Sequence, residues 1–146
     1  MRRRSIVLLL GALATLSILA TAPAAHAVQR ISVTMTGAAE RPGPGDPDGT
    51  GTASFTFNRG LGEVCFDIEV TGITLPAIGA HIHIAPVTDP GPIVVPLTPP
   101  DATGHSSGCV SADRDLVKAI AKNPAAYYVN VHTTDFPGGA LRAQLG

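Results

Sequence analysis

The chain reads as an all-β domain, an antiparallel β-sandwich or barrel of Greek-key-like connectivity with one short helix near 112–122. Three observations predict this. Short stretches in which apolar and polar residues alternate recur along most of the sequence. Glycine and proline cluster between those stretches and punctuate them. Only one segment carries helical rather than two-residue periodicity. Regularly spaced short strands with little helix are the pattern of a sandwich or barrel.

The elements follow in order. Ile31 to Thr36 alternates and reads as a strand. Glu40 to Gly51 is a loop, because Pro42, Gly43, Pro44, Gly45, Pro47 and Gly49 forbid regular structure. Thr52 to Phe57 is the second strand, turning at Asn58-Arg59-Gly60. From Gly62 to Val70 the alternation is clearest: Val64, Phe66, Ile68 and Val70 face inward while Cys65, Asp67 and Glu69 face outward, as on any solvated face. Ala80 to Ile84 and Ile93 to Leu97 come next, joined by the segment from Ala85 to Pro92. Pro92 and Pro96 place the latter strand at a sheet edge, since proline cannot donate to the ladder. Pro99 to Gly108 reads as loop.

Ser111 to Lys122 is the helical segment. Ser111 is suited to cap it, and Asp113 and Asp115 would lie in its first turn. Lys118 and Lys122 lie toward its end, as the helix dipole favours. Leu116, Val117 and Ile120 form its apolar stripe, and Asn123-Pro124 stops it. Ala126 to His132 and Ala140 to Leu145 are the last two strands.

The first 27 residues stand apart. Arg2, Arg3 and Arg4 precede an apolar run from Ile6 to Ala20, and Ala25-His26-Ala27 fits a signal-peptidase site. The run is shorter than the ~20 apolar residues a membrane-spanning helix needs. Residues 1–27 are therefore expected to be a removed signal peptide, and residues 28–146 one secreted, extracytoplasmic domain with no membrane span. Arg3-Arg4 leaves both the general and the twin-arginine export routes open. Losing three of the ten basic residues leaves seven against eleven acidic ones, a net charge of about −4. Such a chain offers no basic stripe for nucleic acid. Cys65 and Cys109 make an even count in an exported chain and are expected to form a disulfide. Closing that loop is worth about 4 kcal/mol in the chain-entropy model.

Three histidines carry the functional question. In Ala80-His81-Ile82-His83-Ile84, the two imidazoles share one face while Ile82 and Ile84 fill the other. In Tyr127-Tyr128-Val129-Asn130-Val131-His132-Thr133, Tyr128, Asn130 and His132 share a face opposite Tyr127, Val129 and Val131. If the two strands are neighbours, three imidazoles converge. Such a group is either a metal site or a set of structural residues bonded to backbone and to neighbours such as Asn130 or Thr133. Arg142 reads as a strand residue paired with a carboxylate, Glu40 being available. Tyr127 and Tyr128 read as one core and one surface residue. Serine elbows, phosphate loops, paired metal-binding cysteines and acidic dyads at telling spacing are absent from the sequence.

Several motifs together resemble the CHRD domain, the repeated module of chordin that also occurs alone in exported bacterial proteins. They are Gly37-Ala38-Ala39-Glu40-Arg41-Pro42, Gly51-Thr52-Ala53, Cys65-Phe66, Ala80 to Ile84, Gly91 to Leu97, Ser107 to Val110, Asn123 to Thr133 and Pro137 to Leu145. Their order and spacing match over nearly the whole mature chain. Ala85 and Ala143 stand where that family usually has glycine. The resemblance implies an extracellular β-domain, in chordin part of an antagonist of secreted growth factors. A narrower similarity links His81, His83, His132 and Arg142 to copper/zinc superoxide dismutase, which places a His-x-His pair, a later histidine and a catalytic arginine in that order. The long zinc loop of that enzyme is missing; Asp101 and His105 are its nearest counterparts.

Two readings follow. The first is a non-enzymatic exported module that binds extracellular protein, carbohydrate or an envelope component, or serves as a scaffold, with no cofactor expected. The alternative is a copper- or zinc-binding β-domain with dismutase-like redox activity, using His81, His83 and His132 as ligands and Arg142 in catalysis.

Overall fold

The computed structural model describes residues 28–146, so the expected signal peptide lies outside the described residues. Eight strands form one antiparallel sheet that curls into a nearly closed barrel: β1 (Val28–Thr36), β2 (Thr50–Asn58), β3 (Glu63–Thr71), β4 (Gly79–Ile84), β5 (Ile93–Leu97), β6 (His105–Ser111), β7 (Tyr127–His132) and β8 (Leu141–Gln144). One helix, α1 (Arg114–Lys122), lies between β6 and β7. The strand order is β5-β4-β7-β8-β1-β2-β3-β6. Hairpins join β1 to β2, β2 to β3, β4 to β5 and β7 to β8, and the remaining connections cross between distant strands. The two edges, β5 and β6, are stitched through their flanks: Ser106 Oγ donates to the Thr98 carbonyl at 2.7 Å.

The core follows from the alternation. Ala53, Phe55 and Phe57 from β2, Val64, Phe66, Ile68 and Val70 from β3, Ile82 from β4 and Val129 and Val131 from β7 all point inward and are buried. Val117 and Ile120 of α1 pack into the same core. Burying an aliphatic side chain of this size contributes roughly 1.5–3 kcal/mol. Cys65 and Cys109 are direct partners in the β3–β6 ladder and are disulfide-bonded on the outer face.

Four expectations need correction. The stretch Pro99–Gly108 is not wholly loop, since β6 begins at His105. Its sequence, His-Ser-Ser-Gly-Cys-Val-Ser, has almost no apolar alternation because β6 is an edge strand whose residues are mostly exposed. The helix starts later than expected: Asp113 is its cap, accepting from the backbone N–H groups of Asp115 and Leu116 at 2.9 and 3.0 Å, while Ser111 stays in β6 opposite Glu63. Aspartate and serine cap comparably well, so local sequence did not distinguish them. Ile84, expected on the core face, is 39% exposed because β4 ends there and the chain turns away. Both Tyr127 and Tyr128 are buried, whereas one was expected at the surface.

Candidate functional site

Tyr128 is buried because the outer face of β4, β7 and β8 is itself covered. The register sets up a lattice there. His81 of β4 stands opposite Asn130 of β7, which stands opposite Arg142 of β8. His83 faces Tyr128, Tyr128 faces Gln144, and Gly79 faces His132. With the strands adjacent, the three imidazoles converge as the alternation predicts. Their rings lie 5.6 Å (His81–His83), 5.1 Å (His81–His132) and 6.4 Å (His83–His132) apart between centroids. One ring nitrogen from each falls within 4.8 Å of the others.

Each histidine is held differently. His83 is buried, with Nδ1 2.8 Å from the Gly91 carbonyl and Nε2 3.0 Å from Asn130 Oδ1. His132 is half-buried, with Nδ1 3.0 Å from the Pro137 carbonyl and Nε2 3.1 Å from the same Asn130 oxygen. His81 has a buried Nδ1 with no hydrogen-bond partner. Burial, reinforced by the other two imidazoles, lowers the His81 pKa to about 4. Burial also lowers that of His132, against the pull of its bond to Pro137.

Arg142, at 1% exposure, anchors the other half of the lattice. Its guanidinium lies 3.5 Å over the Tyr128 ring and donates to the carbonyls of Asp89 at 3.1 Å and Pro86 at 2.9 Å. Those carbonyls belong to the β4–β5 loop, so the arginine straps that loop onto the sheet. Tyr128 also stacks on His83, with ring centroids 4.7 Å apart, and its hydroxyl accepts from the Gly91 N–H at 3.2 Å. Gln144 adds two donations, to the carbonyls of Ala85 and Ala125 at 2.7 and 2.8 Å. A side chain at Gly91 would collide with the Ile84 carbonyl, so only glycine allows the loop to press this close.

Glu40 covers the opposite flank and is also buried, at 3% exposure. One of its oxygens accepts from the Arg41 N–H at 3.3 Å, while Oε1 has no hydrogen-bond partner. Burial raises its pKa to about 7, although Arg41, Arg142 and Asn130 all act to lower it. The expected ion pair between Glu40 and Arg142 does not form: the guanidinium is engaged by backbone carbonyls and by Gln144 Oε1. Gly139 makes room for the carboxylate, because a Cβ there would stand 2.4 Å from its carbon, and its φ of +139° suits glycine alone.

The remaining titratable candidates lie elsewhere. His105 sits on β6 and approaches Asp67 at 3.4 Å in the open. Asp101 accepts from the N–H and hydroxyl of Thr103, closing the turn before β6. Glu63 neighbours Cys65 and Cys109, whose sulfurs are bonded to each other. The sequence reading named the histidines and Arg142 but left Asn130 a mere neighbour and overlooked Gln144. Both occupy outward positions in strands, at i+2 from Tyr128 and Arg142, and that spacing was the available signal.

A nearly closed antiparallel barrel, with a buried polar layer of His, Asn, Tyr and Arg under Gly/Pro loops, defines an all-β domain whose outer face is organised around one motif set. The family model for the CHRD domain matches residues 31–145, and the chain belongs to the CHRD domain family. No curated protein and no solved structure matches the chain.

Proposed function

We propose that this protein is an exported, non-enzymatic CHRD module that acts in the extracytoplasmic space as a binding or scaffold domain. What supports the reading is Arg142. A dismutase-like role requires a cation that substrate can reach, yet this guanidinium is buried and donates to two loop carbonyls. Its geometry suits a structural strap. The β4–β5 hairpin that it fastens presents Ile84, Val87 and Ile93 to solvent, with exposures of 39%, 56% and 51%. A fixed apolar tip on a rigid barrel suits recognition of an extracellular protein or envelope component. The cross-strand disulfide and the leader pattern support export. Among the described residues no helix is long and apolar enough to cross a membrane.

N-terminal sequencing of the protein recovered from outside the cytoplasm should read from Val28, and thiol labelling without reductant should find no free cysteine. Superoxide dismutation by the copper- and zinc-supplied protein should not exceed that of the same ions free in buffer. An excess rate abolished in Arg142→Lys would overturn the non-enzymatic reading.

A further inference from the structure

The contact between Asn130 and the two imidazoles has a surplus of lone pairs. Carbonyl oxygens only accept, so the Nδ1 atoms facing Gly91 and Pro137 carry the ring protons of His83 and His132. In the neutral rings each Nε2 then presents a lone pair, and both point at Asn130 Oδ1, a third acceptor, from 3.0 and 3.1 Å. No proton is left to place between them. The His81 ring stands alongside, and its buried Nδ1 also lacks a partner. Three acceptors around one point, with an unpartnered imidazole beside them, are repulsive unless a cation lies among them.

We infer that His81, His83 and His132 form a binding site for a late first-row divalent metal ion of the zinc or copper type, with Asn130 Oδ1 beside it. Neutral imidazoles suit these ions, whereas calcium and magnesium require mostly oxygen ligands. The two Nδ1-to-carbonyl bonds match the way ligating histidines are held, with the far nitrogen donating to a fixed acceptor so that the near one is aimed and made more basic. Zinc–nitrogen bonds of about 2.0–2.1 Å place tetrahedral ligands roughly 3.3 Å apart. The nitrogens, all within 4.8 Å of one another, need a modest closing of the rings. His132 and His81 are only half-buried, so an ion has a path from solvent. The site requires neither export nor catalysis and stands or falls apart from the function proposed above.

The test uses the purified protein, stripped by chelator, then titrated calorimetrically with Zn²⁺ and spectroscopically with Co²⁺. One ion per chain is expected, with the visible bands of tetrahedral Co²⁺ nitrogen ligation. His81→Ala is the decisive variant, because His81 makes no hydrogen bond that holds the fold. It should retain the wild-type melting temperature without metal and lose affinity by a hundredfold or more. His83→Ala should also lose binding, and because it unstacks Tyr128, its folding must be verified by circular dichroism. His105→Ala should bind as wild type. Absence of saturable binding would overturn the site, as would equal affinity in His81→Ala. Binding abolished only in His105→Ala would do the same, placing the ion at the exposed histidine. An Asn130 amide found by NMR to donate its NH2 to both rings in chelator, with no change on adding Zn²⁺, would overturn it too.

Discussion

The barrel has two outer faces that look alike in sequence and differ in the fold. On β2, β3 and β6 the outward residues include Thr52, Ser54, Asp67, Glu69, His105 and Ser107, all exposed, with Thr56, Glu63 and Cys65 half-buried among them. On β4, β7 and β8 they are His81, His83, Tyr128, Asn130, His132 and Arg142, and most are buried. On β2 and β3, as on β4 and β7, the polar set alternates with apolar core residues. The difference lies in the loops, because the β4–β5 and β7–β8 connections and the segment after β1 fold back over the second face and bond to it. The first face relies on a covalent link for its edge strand, and the second relies on hydrogen bonds to the loops that cover it.

Removing each device measures that difference. The Cys65→Ser/Cys109→Ser double variant releases a link spanning 44 residues of chain and should lose about 4 kcal/mol in urea denaturation on the chain-entropy account. Its covered face should keep native amide exchange rates until global unfolding. Arg142→Ala removes two charge-assisted hydrogen bonds to part-buried loop carbonyls and should cost about 3 kcal/mol, at roughly 1.5–3 kcal/mol for each bond to a charged group. Here exchange should rise first in the β4–β5 loop, at Gly91 above all. If both variants loosened both faces equally, the barrel would be one cooperative unit and the distinction would be lost.

The sequence made the strands legible because the inward residues are a clean apolar set, Phe55 and Phe57 on β2 or Ile68 and Val70 on β3. It also made the meeting of His81, His83 and His132 legible, since period two fixes their face and only adjacency had to be supplied. The covering of that face was not legible. Alternation reports that one side of a strand is apolar, and it cannot say whether the polar side meets water or a folded loop. Glu40 and Asn130 are the residues this hides: their burial depends on segments far away in sequence, Gly139 for the first and the β4 histidines for the second. For β6 the limit was different, because an exposed edge strand of Ser, Gly and His carries no apolar period to read.

Titration separates the covered face further. Glu40 has a folded pKa of about 7, above its ordinary 4.5, so its stabilising neutral form is fully effective below 4.5 and is lost as pH rises through 7. His81, at about 4 against 6.5, behaves oppositely: its contribution is present above 6.5 and lost as pH falls through 4. His132, lowered as well, acts with His81. Between about 4.5 and 6.5 the opposing slopes offset one another, so the chelated wild-type protein should show a shallow stability profile. Glu40→Gln removes one arm, and its denaturation midpoint should climb steadily with pH across that window. A Glu40→Gln profile as flat as wild type would mean the carboxyl is hydrated and the flank open.

The smallest effect should come from the open face, at Asp67 and His105. This pair copies in outline what happens at His83 and Asn130, an imidazole nitrogen near a side-chain oxygen on a neighbouring strand, but at 3.4 Å and with side-chain exposures of 45% and 59%. Water competes for both groups, and exposed pairs of this kind are typically worth about 0.2–1 kcal/mol. Asp67→Ala should therefore shift stability by no more than about 0.5 kcal/mol, and the shift should vanish in high salt as screening removes the attraction. The matching substitution on the covered face, Asn130→Ala, should cost several times more, because this side chain is buried and its loss takes the amide from beside the buried Glu40 carboxyl. A loss at Asp67 as large as that at Asn130 and insensitive to salt would show that the β3–β6 face is also covered in solution, by a second copy or another partner.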